Sequence, residues 1–293
     1  MVATRRDGMP RRDRFITVDG FELHYSEWGE QTAPPVLCVH GLARVGRDFD
    51  PLARALQDRF RVLCPDVLGR GLSEWAADPT AYAHEAIASR LGTLCDRLDL
   101  GQVRFVGTSM GARVGLALAG GQFASRLSHL VVNDMPPDPG TDANPTGLER
   151  IMDNLPAPPT VARVTELEAY YRDLYGGRYG EMSDEEWRRF TVTSARRTDD
   201  GGITPAYDPR LVAAVGGPDE TPGETRDPWT VWRTAETDLQ IIRGASSETL
   251  PGPAFERMTD ARPDARTLTV DCGHTPMLNS DREIATILSF LAN

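Results

Sequence analysis

The chain has no lysine: its 32 basic residues are all arginine, so chemistry through a lysine Schiff base is excluded. Long apolar runs are also missing. None approaches the roughly 18–20 residues that a membrane-crossing helix needs. The basic start, with Arg5, Arg6, Arg11, Arg12 and Arg14, is not followed by the apolar stretch of a secretion signal and reads as a solvated arm. A cytoplasmic protein that does not bind membranes is the expectation. Cysteine is scarce, with 4 residues, and Cys38, Cys64, Cys95 and Cys272 show no Cys-x-x-Cys spacing. The first two fall in apolar strand-like runs, where buried free thiols are common, so reduced structural cysteines and no metal site are expected. Positive charge is in deficit as well. With 43 acidic residues the formal net charge is -11, a field that disfavours phosphate polyanions, and nucleic acid is not an expected partner.

What is present suits one large core. The 293 residues are 40% hydrophobic and 26% charged, which fits a globular α/β protein with an inserted subdomain rather than a disordered chain. Phe15–Val18 and Phe21–Trp28 flank Asp19-Gly20, a hairpin signal. Short apolar runs then alternate with helical patterns: Val36–Val39 and Phe49–Leu56, Phe60–Cys64 and Tyr82–Leu98, Val103–Val106 and Met110–Ala119, then Leu130–Val132. This alternation predicts a mostly parallel sheet wrapped by helices. From about Pro136 to Asp238 the pattern changes to proline-rich joints and amphipathic stretches such as Glu166–Tyr175 and Asp184–Thr193, as expected of an inserted helical lid. Strand signals return at Leu239–Arg243 and Arg266–Val270, before a closing helix from about Arg282 to Leu291. Residues 1–135 and 239–293 are thus expected to share one sheet, with 136–238 inserted between them.

The strongest local signal is Gly107-Thr108-Ser109-Met110-Gly111, which follows one strand run and opens a helical pattern. A serine hydroxyl is a weak nucleophile; a sharp strand-to-helix turn exposes its oxygen, and flanking glycines avoid a clash in that turn. Ser109 is therefore the candidate nucleophile. Near the other end, Asp271-Cys272-Gly273-His274-Thr275-Pro276 places His274 in a turn after the last strand, where it can take the Ser109 proton and return it to a leaving group. His24, His84 and His129 have no such context. His40-Gly41-Leu42 follows the strand Val36–Val39, and the backbone N–H groups of Leu42 and Met110 are the expected oxyanion hole, with His40 bracing the loop.

These motifs, together with Asp66-Val67-Leu68-Gly69-Arg70-Gly71-Leu72-Ser73 and Asn133-Asp134, closely resemble the lid-bearing α/β-hydrolases across nearly the whole chain. The resemblance implies a cofactor-free hydrolase, most often an esterase or lactonase. The same scaffold also supports C–C, C–N and peroxidase chemistry, and some relatives are non-catalytic ligand receptors. Serine at position 109 departs from the aspartate nucleophile of haloalkane dehalogenases and epoxide hydrolases. The acid partner of His274 has two candidates on neighbouring strand ends. Glu248 is at the commonest family position, but esterases with a similar Arg-Gly-x-x-Ser strand end often use the earlier position. Asp134 is favoured, because a short acid directly on a strand end is held more rigidly. Arg44, Arg47 and Arg113 are candidates for binding a substrate carboxylate, against the commoner role of pairing with acids such as Asp48 or Asp66. A small-molecule substrate is the expected partner, and a homo-oligomer is open.

Overall fold

The computed structural model describes residues 10–143, 152–153, 155–215 and 227–293. The arm at Arg5 and Arg6, and the parts of the expected insertion at 144–151, 154 and 216–226, lie outside the described residues.

Strands β1 (Arg12–Val18) and β2 (Phe21–Trp28) pair antiparallel through the two-residue turn Asp19-Gly20. Both turn residues have positive φ, 50° and 83°, the conformation that matches the twist of a tight hairpin. The chain continues through β3 (Pro35–Val39), α1 (Asp50–Leu56), β4 (Arg61–Pro65), α2 (His84–Arg97), β5 (Val103–Thr108), α3 (Met110–Gly120) and β6 (Leu127–Asn133). Then come α4 (Val164–Tyr175), α5 (Asp184–Thr193), the short strands β7 (Ala195–Arg197) and β8 (Ile203–Pro205), and α6 (Pro228–Thr234). The chain closes with β9 (Asp238–Gly244), α7 (Gly252–Ala261), β10 (Arg266–Val270) and α8 (Asp281–Leu291). Eight strands form one sheet in the order β1-β2-β4-β3-β5-β6-β9-β10, parallel throughout except where β2 runs against both its neighbours.

The central strands are buried on both faces, which is why they read as continuous apolar runs rather than alternating ones. Leu91, Phe105, Leu130 and Trp232 belong to the core under α2, α3 and α6, while Leu52, Val106, Ile287 and Phe290 belong to the core under α1 and α8. A third cluster, with Leu167, Tyr171, Phe190 and Ile203, joins α4, α5 and β8 and packs against Met277 of the main body. Helix starts follow local chemistry: Ser183 with Glu186 opens α5, and Ser280 with Glu283 opens α8, each pair satisfying N–H groups that a helix leaves unpaired.

The structure differs from the sequence expectations in three places. Helix α6 falls inside the stretch expected to be the insertion, yet Trp229, Val231 and Trp232 join the main core beside α3. The β7–β8 hairpin interrupts a region expected to be helical. Helix α7 carries no expectation at all.

Candidate active site

Five segments converge at the carboxyl ends of the parallel strands: His40–Leu42 after β3, Ser109 after β5, Asp134 after β6, Ser247 after β9 and His274 after β10. That is the end of an open α/β sheet where ligands bind. Ser109 alone makes the turn from β5 into α3, with φ 53° and ψ -114°. Its N–H donates to the Asn133 carbonyl at 2.9 Å, and its own carbonyl accepts from Ala112 and Arg113 at 2.9 and 3.3 Å. Strain of this kind persists only where the surroundings impose it. Here the constraint is close packing: a Cβ on Gly111 would stand 2.0 Å from the Val39 carbonyl oxygen, and one on Gly107 would stand 2.4 Å from that of Gly111.

His274 Nε2 lies 3.0 Å from Ser109 Oγ, and His274 Nδ1 lies 2.7 Å from Asp134 Oδ2. Asp134 is fully buried. Its Oδ1 accepts from the Gly244 N–H at 2.9 Å, and its Oδ2 also accepts from the Ser247 hydroxyl at 2.6 Å. A buried carboxylate is tolerated when donors surround it in this way. Because it only accepts, it fixes the proton of His274 on Nδ1 and leaves the Nε2 lone pair facing the serine hydroxyl. Asn133 ties the strand end to the histidine loop, donating from Nδ2 to the Pro276 carbonyl at 2.8 Å. Glu248, the other candidate acid, is exposed, and both ring nitrogens of His274 are engaged without it.

His40 is buried with both ring nitrogens bonded inside its own loop: Nδ1 to the Gly41 carbonyl at 2.7 Å, and Nε2 accepting the Val67 N–H at 3.1 Å. Burial depresses its pKa to about 4, so the ring is neutral near pH 7 and acts as a brace. Arg70, fully buried, links the two expected oxyanion residues: Nε donates to the Leu42 carbonyl at 2.9 Å, while Nη2 lies 3.4 Å from the Met110 sulfur. Burial lowers its pKa to about 9, against the opposing pull of Tyr82 and Asp208. Met110 opens α3, where helix N–H groups lack intrahelical acceptors.

A cavity of about 60 Å³ opens beside Ser109, walled by Leu42, Arg44, Tyr175, Tyr179 and His274 among others. Of the three arginines weighed as candidates for a substrate carboxylate, Arg44 lines it. Arg113 does not; its charge acts on His84, whose pKa is pushed down to about 3 by burial first and then by Arg113 and Arg70. Arg47 also lies outside that wall and pairs with Asp50 at 2.7 Å. Among the described residues, no group of three or more His, Cys, Asp or Glu side chains is arranged to hold a metal ion, and no helix is long and apolar enough to cross a membrane. All four cysteines are free and buried.

Residues 36–287 match the family model described as "Alpha/beta hydrolase family". The chain belongs to that family. This α/β-hydrolase is 33% identical to the 3-hydroxybutyrate-oligomer hydrolase of Cupriavidus necator over 275 residues, 92% of each chain. It is 26% identical to the 2-(acetamidomethylene)succinate hydrolase of Mesorhizobium japonicum, over 88% of this chain and 86% of that one. Among solved structures, an α/β-hydrolase from Novosphingobium aromaticivorans superposes with a TM-score of 0.85 at 29% identity, over 96% of this chain and 98% of the other.

Sequence reasoning assigned no role to two residues of this α/β-hydrolase site, Ser247 and Arg70. Both were within motifs it had noted: Ser247 closes Arg-Gly-x-x-Ser, and Arg70 lies in the Asp66–Ser73 run. What was missing was the partner, 113 residues away for Ser247 and 40 for Arg70.

Proposed function

We propose that this α/β-hydrolase cleaves a carboxylic ester through an acyl-enzyme on Ser109. The unbroken hydrogen-bond chain from Ser109 Oγ through His274 to buried Asp134 carries the reading. In it, His274 Nε2 takes the serine proton as Oγ attacks the ester carbonyl, and Asp134 stabilises the imidazolium that forms. The oxygen that gains charge faces the N–H groups of Leu42 and Met110. His274 then gives its proton to the departing alcohol, and a water activated by the same nitrogen releases the acid. Oligomers of a hydroxy acid are joined by esters, and the similarity to a 3-hydroxybutyrate-oligomer hydrolase supports short hydroxy-acid esters as the substrate class. The inserted helices α4 and α5 serve as the cover that selects among them.

The test combines turnover with labelling. Wild-type protein is expected to hydrolyse p-nitrophenyl butyrate and a linear 3-hydroxybutyrate dimer, and a fluorophosphonate should add once, on Ser109, by peptide mass spectrometry. Undiminished turnover in Ser109→Ala would sink the assignment. Hydrolysis of an N-acyl amide in preference to both esters would move the reaction to C–N cleavage.

A further inference from the structure

Arg44 is buried in the cavity wall with part of its guanidinium unused. Its Nε and Nη2 donate to the two oxygens of Asp48 at 2.9 and 2.7 Å. Its guanidinium carbon stands 3.3 Å over the centre of the Phe190 ring. Burial alone would favour the neutral form, but Asp48 outweighs it and holds the group charged. Nη1 is buried and has no well-aligned hydrogen-bond acceptor; the nearest polar group is the Tyr175 hydroxyl, close enough to the Arg44 side chain for a hydrogen bond that lowers the phenol's pKa against the larger effect of burial. A buried donor left without an acceptor is costly and uncommon. Arg44 lines the same cavity as Ser109, and the Arg44 Cγ and the Ser109 Cβ lie 3.6 and 3.8 Å from the point where a Gly41 Cβ would stand.

The guanidinium fork has two edges able to hold a carboxylate bidentately. Asp48 takes the Nε–Nη2 edge, and the end-on edge, containing Nη1, remains. We infer that this edge receives a carboxylate of the substrate, which narrows the substrate to a small ester bearing a free carboxylate a few bonds from the scissile carbonyl. The inference rests on the Ser109 reading. The surrounding charges favour an anion over a neutral oxygen. Arg178 is felt by the phenols of Tyr175 and Tyr179, and His40 is neutral. Of the nearby carboxylates, Asp48 is already paired, and Asp134 is enclosed by donors behind His274. A linear 3-hydroxy-acid dimer is an ester of this kind, its terminal carboxylate carbon four bonds, about 5 Å, from the ester carbonyl carbon.

The experiment compares acetyl release from 3-acetoxybutanoate with release from its neutral isostere, 3-acetoxybutanamide. Wild type is expected to prefer the carboxylate by roughly 10- to 100-fold in kcat/KM, as a charge-assisted hydrogen bond implies. Arg44→Lys can still pair with Asp48 but lacks the second edge, and the preference should fall to about threefold or less. Because this variant touches a packed side chain, a second measurement keeps Arg44 intact: calorimetry on Ser109→Ala with 3-hydroxybutyrate and with 3-hydroxybutyramide, of which only the carboxylate should bind. Equal turnover of the two esters by wild type overturns the role of Arg44 while leaving the ester-hydrolase reading standing. Absence of turnover together with absence of a fluorophosphonate adduct overturns that reading instead, and the calorimetry then decides the carboxylate site by itself.

Discussion

At Asp134, the His274 ring, the Gly244 N–H and the Ser247 hydroxyl converge on one buried carboxylate, whereas Glu248, one residue beyond Ser247, points to solvent. Asp134→Asn keeps the shape and removes the charge that, in the proposed reaction, stabilises the imidazolium. Turnover of p-nitrophenyl butyrate should therefore fall by orders of magnitude with KM little changed. Glu248→Gln should stay within roughly tenfold of wild type, a barrier difference of about 1.4 kcal/mol. The reverse ranking would transfer the acid role to Glu248. Ser247 acts at one remove. Ser247→Ala deletes one donor to Asp134, so roughly a tenfold loss in kcat at constant KM is expected, with partial recovery in Ser247→Thr. A KM effect without a kcat effect would place Ser247 at the substrate instead. That Ser109 and His274 would meet was legible because each lies in a motif carried by adjacent residues. The choice between the acids was not decided there, because burial is set by how β6 and β9 pair, which a strand-end motif does not encode.

Among the elements, the join between β5 and α3 is closely packed. The first turn of α3 lies directly on the end of β3, with room at Gly111 only for hydrogen. Gly111→Ala must push the helix off the strand, moving Met110 and Ser109 with it. A loss of about 3 kcal/mol or more in urea unfolding, with loss of activity, is expected, in line with forced overpacking and backbone displacement. Gly101→Ala is the control: its Cβ would meet nothing within 4 Å and its backbone has no left-handed φ. It should change stability by no more than about 0.5 kcal/mol. Equal effects at the two positions would show that close packing does not hold the elbow. The long alternating elements were readable from their apolar periods, within a few residues at their ends. Helix α7 was missed because Pro251-Gly252-Pro253 reads as a breaker, whereas proline is tolerated in a first helical turn. Strands β7 and β8, at three residues each, are too short to show a period.

For the whole molecule, acidification tests how the interior treats its histidines. Burial drives the pKa of His40 to about 4 and that of His84 to about 3, and it lowers His129 in the same direction. In the unfolded chain each would titrate near 6.5. The unfolded state therefore binds more protons below that pH, and stability from these rings is complete above pH 6.5 and erodes as the pH falls towards 4. His40 and His84 each account for roughly 3 kcal/mol over that range. His24 works the other way. Although burial opposes it, bonding to Asp66 and Asp13 raises its pKa, so its contribution is present on the acid side and fades as the pH rises. Carboxylates such as Glu27, held low by Arg61 and Arg12 despite burial, lose their contribution only below the ordinary carboxylate range of about 4.5. Between pH 7 and 5 the histidines thus govern the slope, with two strongly depressed rings against one raised. Urea midpoints at fixed ionic strength should fall steadily from pH 7.0 through 6.0 to 5.0. His84→Leu should reduce that slope, while His24→Gln, which removes the opposing group, should steepen it. A midpoint that holds constant or climbs on acidification would mean that His40 and His84 accept protons in the folded state, and the loop at the oxyanion residues would then be open to water.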